Sequence, residues 1–103
     1  MNVRDWLAHR EPSPPRELRE RVEALALAVP ERADDPAGTL LDAAEAALIG
    51  LSRQPIGERA TALDLLAVDA LVTYALEVAS QTPEQIPAIS ERAMTRLSRV
   101  TVR

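Results

Sequence analysis

Chemistry in this chain would have to come from carboxylates, because its 103 residues include no cysteine and a single histidine, His9. Asp69 and Glu77 stand two helical turns apart with Thr73 between them, which places all three on one face of a helix. Such a strip can hold a divalent cation or act as acid and base. Because no Glu-x-x-His motif accompanies it, we interpret it as a solvated strip or as partners for arginines on a neighbouring helix.

Two further sites carry side chains that could take part in chemistry, but neither has the neighbouring ligands or nucleophiles that such chemistry needs. Asp34 and Asp35 resemble half of an acidic metal-binding motif, yet nothing nearby supplies further ligands, so we interpret Asp35 as a helix cap. His9 follows Asp5 by four residues and has no nucleophile near it. We therefore predict no catalytic, cofactor-binding or metal-ligating residue, and we expect a protein that is not an enzyme.

One carboxylate falls in an unexpected place. On a helical wheel Asp64 lies at the centre of the apolar side of its segment, where an unpaired charge would be costly. We predict that it forms a buried ion pair with an arginine, or that it lies close enough to the helix start to reach backbone N–H groups. A carboxylate facing a ligand is the alternative.

The only tryptophan, Trp6, precedes Leu7 in a short amphipathic segment at the N-terminus. Tryptophan is enriched among residues that dominate protein interfaces, so Trp6 could anchor a partner. The alternative is that it folds back and holds the segment against the rest of the chain.

The elements that must position these residues are helices. Alanine and leucine, 18 and 14 residues, supply almost a third of the chain, and prolines divide it into segments with apolar spacing of three and four. We predict an all-α fold: a small antiparallel bundle of four main helices, residues 15–103, preceded by an N-terminal arm, residues 1–14, with a short helix. The predicted helices cover 2–10, about 15–29, 39–53 and 58–80, and from about 88, with a tight turn at 54–57. The cap of the helix at 39–53 is Asp35 before Pro36 or, alternatively, Thr39 in a variant capping box with Asp42. Thr82 and Gln85 form a capping box before the last helix, and Pro87 splits off a short 3₁₀ or α turn ahead of it.

The segment 58–80 is apolar on most of its circumference, since 15 of the 20 residues from 60 to 79 are apolar. A helix of this kind must be surrounded by protein, so we expect it at the centre of the fold. Leu27, Leu40 and Ile49 fall outside the main apolar stripes of their own helices. Together these features predict a residual apolar patch that a two-fold symmetric dimer would bury.

Residues 66–77, Leu-Ala-Val-Asp-Ala-Leu-Val-Thr-Tyr-Ala-Leu-Glu, resemble a core helix of the trans-prenyl diphosphate synthases. That helix often carries a leucine, an Asp-Ala-Leu and a later Ala-x-Glu. The resemblance implies a helical fold, and members of that family bind isoprenoid diphosphates with magnesium at two Asp-rich D-D-x-x-D motifs. This chain has neither motif. The resemblance therefore covers one buried helix and implies no prenyl transfer.

Charge and hydropathy exclude other classes. The net charge of −4 is opposite to that of a general nucleic-acid binder, and no uncharged stretch is long enough to span a membrane. The N-terminus has no apolar core typical of a secretory signal, so we expect a cytoplasmic location.

The function expected from these features is that of a non-enzymatic helical interaction module or accessory subunit, binding a protein partner or itself as a homodimer. The alternative is a carrier of an apolar small molecule in the bundle core. The candidate interaction residues are Trp6, Leu7, Leu27, Leu40 and Ile49.

Overall fold

The computed structural model describes residues 2–54 and 59–101, and the tight turn predicted at 54–57 lies largely outside them. Within these ranges all regular secondary structure is helical. The five α-helices are α1 (Val3–His9), α2 (Arg16–Leu27), α3 (Pro36–Leu51), α4 (Arg59–Ala79) and α5 (Ile86–Thr101), with a 3₁₀ turn over Pro83–Gln85. The all-α bundle with a short N-terminal helix is thus confirmed.

Two of the helix starts are set by side-chain caps. The Asn2 side chain accepts a hydrogen bond from the Asp5 N–H at 2.7 Å, and Asp35 accepts one from the Gly38 N–H at 2.9 Å. Each cap satisfies one of the backbone donors that a helix leaves unpaired at its first turn. Asp35 is thus the cap of α3, as predicted, and the helix begins at Pro36, three residues before the alternative start at Thr39.

The predicted capping box at Thr82 is wrong. The Thr82 side chain makes no capping hydrogen bond; its backbone carbonyl instead accepts from the Gln85 N–H at 2.9 Å. This bond closes the 3₁₀ turn, from which α5 continues directly at Ile86. The short 3₁₀ turn that the sequence predicts before the last helix has a physical cause. Pro87 has no N–H to donate to the Pro83 carbonyl four residues before it, and that carbonyl accepts from the Ile86 N–H instead.

Helices α3 and α4 form the centre of the molecule, and α2 and α5 pack against them. The buried residues of α3 and α4 are mostly small residues and leucines, among them Leu41, Ala44, Leu71 and Ala75. Small side chains let two helix axes approach closely and increase dispersion contacts. The expectation that the segment 58–80 is central is therefore met on the side of α4 that faces α3.

The N-terminal helix α1 packs against α2 and α3. Val3 is buried, and its backbone N–H donates to the Glu31 carboxylate at 2.6 Å. This hydrogen bond and the burial of the Val3 side chain fix the start of the arm to the loop before α3. None of the described helices combines the length and apolarity needed to cross a membrane.

Candidate functional site

Trp6, the first candidate interaction residue, lies on the bundle. Its ring is 5.5 Å from that of Tyr74 on α4, at an interplanar angle of 58°. The Arg10 guanidinium lies 4.4 Å from the centre of the Tyr74 ring, within the range of a cation–π interaction. Tyr74 is buried beneath these two side chains. Trp6 therefore holds the arm against the bundle in this structure and is only partly accessible.

An ion pair extends the contact between arm and bundle. Arg10 Nε and Nη2 donate to the two Glu77 oxygens at 2.7 and 2.8 Å, a bidentate arrangement. The hydrogen bond from Arg10 lowers the pKa of Glu77 below its ordinary value, against the opposing effect of burial. Glu77, from the carboxylate strip in the sequence, is thus an anchor for the arm, whereas Asp69 is exposed.

Asp64 is buried, with 8% of its surface exposed, and Arg21 of α2 lies across from it. Arg21 Nε donates to one carboxylate oxygen at 2.5 Å and Nη2 to the other at 3.2 Å. The hydrogen bond that Arg21 donates to Asp64 raises the pKa of the guanidinium. Among the described residues every buried side-chain nitrogen or oxygen has a hydrogen-bond partner, so the pair leaves no buried polar atom of Asp64 unsatisfied.

A second charged cluster, centred on Asp42, was not predicted from the sequence. Asp42 accepts bidentate hydrogen bonds from Arg32 at 2.6 and 3.0 Å, and a further one from Arg96 of α5 at 2.6 Å. Because Asp42 stands three residues after Thr39, the sequence suggested a capping box instead. The cluster joins α5 to α3 and to the loop before α3, so we interpret it as structural.

The other candidate interaction residues differ in how far they are exposed. Leu40 is fully buried at 0% exposure, so its place on an exposed patch is wrong: α3 buries a wider arc than its main stripe, including Leu40 and Leu41. Ile49 is partly buried. Leu27 is 57% exposed, and it lies with Leu7 on the walls of an open cleft.

This cleft, the α1–α2 groove, is defined by Val3, Arg4, Leu7, Ala26 and Leu27. It has a volume of about 260 Å³, and Glu23 also lines it. A second cleft of about 260 Å³ shares Val3, Arg4, Ala26 and Leu27 and continues to Val29 and Glu31. The groove is therefore elongated, with a buried apolar floor and charged groups along its rim.

A second exposed apolar surface lies on α4 and was not expected. Leu65 and Leu66 are 52% and 57% exposed, next to Ala62, Asp69 and Thr73, which are also exposed. We call these five residues the α4 outer stripe. The expectation that protein would surround α4 on most of its circumference is wrong here, because α2, α3 and α5 leave this face uncovered.

Among the described residues, no group of three or more His, Asp or Glu side chains is placed to hold a metal ion. Ala44 on α3 and Ala67 and Ala75 on α4 are 0% exposed, so no void that admits even water adjoins them. The abundant alanines of these two helices serve close packing.

Comparison of the chain with protein-family models, with curated proteins and with solved structures found no match.

Proposed function

We propose that this protein is a non-enzymatic interaction module that binds a segment of a partner protein in the α1–α2 groove. The single observation that carries the proposal is that Leu7 and Leu27 line an elongated open groove whose floor, Val3 and Ala26, is buried and apolar. An open apolar groove of this shape suits an amphipathic helix or an extended segment better than a compact ligand.

The charges on the rim favour a particular partner chemistry. Arg4 and Glu23 line the same cleft and make no ion pair with each other in the structure. A partner segment with apolar side chains between an acidic and a basic residue would pair with both while its apolar side chains cover Leu27. Complementary rim charges of this kind contribute more to specificity and association rate than to affinity.

The carrier function is less well supported. A carrier would need a cavity in the bundle core, and the inaccessible alanines of α3 and α4 indicate close packing at the centre of that core. The groove, in contrast, is open to solvent along its length.

Site-specific photo-crosslinking in the native cell tests the proposal. A photoreactive amino acid is placed at Leu27 in the groove and, as a control, at Arg16, which is exposed at the start of the same helix. We expect a discrete adduct with another protein from position 27 and none from position 16. If position 27 gives no more adduct than position 16, the groove is not a docking site.

The partner identified in this way is then titrated with purified variants. Leu27→Glu should weaken binding by tenfold or more, because a charge would replace an apolar contact at the groove wall. Leu66→Glu, equally exposed on α4, is the matched control and should bind with unchanged affinity.

A further inference from the structure

The α4 outer stripe has a pattern of residues that is complementary to itself. Its two leucines are adjacent at the middle, Arg59 lies before them near the helix start, and Asp69 lies one turn after them. Arg59 makes one hydrogen bond to Glu17 at 3.2 Å, and both side chains are largely exposed, so this pair is weak. Asp69 is exposed and forms no ion pair with any residue that the structure describes.

Two copies of α4 packed antiparallel about a two-fold axis between Leu65 and Leu66 would place leucine against leucine at the centre. Leu65 of one copy would contact Leu66 of the other, and Ala62 would lie opposite Asp69. Arg59 would lie opposite Val72 and within one turn of Asp69 of the second copy, a distance that a long arginine side chain can span. The two-fold axis produces this charge pair twice, as an isologous interface requires.

We infer that the α4 outer stripe is a self-association surface, and that its occupant is a second copy of this chain. The inference goes beyond the α1–α2 groove and uses none of its residues. The contact consists of one helix face per copy, at the small end of specific interfaces, so the dimer is reversible, with a Kd on the order of 10–100 µM.

Sedimentation equilibrium over a range of about 1 to 500 µM tests the inference, because this range spans the expected Kd. We expect the mass to rise from the monomer value of 11.2 kDa toward twice that value. Leu66→Glu should raise Kd by at least tenfold by placing two carboxylates beside each other at the axis. Leu27→Glu, an equally exposed leucine in the groove, is the matched control and should leave Kd unchanged.

Charge reversal tests the geometry itself. Arg59→Asp and Asp69→Arg should each weaken self-association, because each creates two like-charge contacts across the axis. An equimolar mixture of these two variants should associate as well as the unchanged protein, because the mixed dimer contains two opposite-charge contacts. Only a contact between these two positions on different copies predicts recovery on mixing.

Two results would overturn the inference: a monomer at every concentration, or a dimer that Leu66→Glu and the charge reversals do not affect. Neither result bears on the groove, which is tested by the adduct at position 27. Conversely, a dimer that depends on Leu66 in a protein without a groove adduct would support the inference while the proposed function fails.

Discussion

Asp64 shows how a buried carboxylate in this fold depends on a single partner. Its carboxylate is buried on α4, and it accepts two hydrogen bonds from Arg21 of α2, which lies 43 residues earlier in the sequence. The two partners are not equivalent, because 40% of the Arg21 side chain is exposed but only 12% of the Asp64 side chain is. Arg21 retains contact with water, whereas Asp64 depends on its partner.

This asymmetry predicts an unequal response to substitution. Arg21→Leu should destabilise the protein by about 2 kcal/mol, because it leaves a buried carboxylate without its cation. Asp64→Leu should cost less than about 1 kcal/mol, since it places an apolar side chain in an apolar site while Arg21 stays hydrated. Urea denaturation followed by circular dichroism measures both. If Asp64→Leu proves the costlier change, the pair contributes net stability and our account of it is wrong.

Helix α3 shows at the scale of an element how local chemistry sets a boundary. Asp35 caps the helix through the Gly38 N–H, and Pro36 occupies the first turn, where a missing N–H costs nothing. A Cβ atom added to Gly38 would collide with the Asp35 carboxylate, whereas one added to Gly50 near the other end of α3 would meet no atom. Glycine is therefore needed at position 38 so that the cap can close.

Alanine substitutions at these two glycines should have opposite effects. Gly38→Ala should destabilise by about 1 kcal/mol through loss of the cap, and Gly50→Ala should stabilise by about 0.5 kcal/mol through a lower chain entropy in the unfolded state. In thermal unfolding, each 1 kcal/mol corresponds to about 4–8 °C for a domain of this size.

A double-substitution control isolates the cause of the first effect. In an Asp35→Ala background the collision is absent, so Gly38→Ala should no longer destabilise. A penalty that persists in that background would place its origin elsewhere in α3.

For the whole molecule, the principal question is how the N-terminal arm becomes part of the bundle. Trp6 and Arg10 reach Tyr74, and Arg10 also pairs with Glu77, so α1 is connected to α4 although the two are far apart in sequence. A helix of seven residues is too short to be stable alone. The arm is therefore helical because it is docked.

Docking of the arm should depend on pH through Glu77. Because the pKa of Glu77 is lowered in the folded protein, the pair with Arg10 contributes its full stabilisation above the ordinary value of 4.5 and loses it as pH falls through the lowered pKa. Trp6, the sole tryptophan, reports this directly. We expect its emission to shift to the red as pH falls below 4.5, before the main loss of helical far-UV circular dichroism.

Glu77→Gln is the control for this assignment, since it removes the titrating group but keeps a hydrogen-bond acceptor. Its Trp6 emission should already be partly shifted at pH 6 and should change less on acidification. If the two proteins follow the same pH curve, another carboxylate controls docking of the arm.

Several features could be determined from the sequence alone because their causes are local. The spacing of apolar residues and the positions of prolines determine helices over α1 to α5, with most boundaries within three residues of those observed. The helical wheel also places Asp64 on the buried side of its helix. These properties depend on residues within a few turns of one another, and a single sequence contains all of that information.

Only the tertiary structure decided which helix faces pack against each other. Leu40 and Leu66 look alike in the sequence, yet Leu40 is fully buried and Leu66 is 57% exposed, because neighbouring helices cover one face and not the other. The choice of Arg21 for Asp64 has the same origin, since the chain has 12 arginines and nothing in local spacing ranks them. Such pairings follow from the packing of helices distant in sequence, where the shape of the whole core decides.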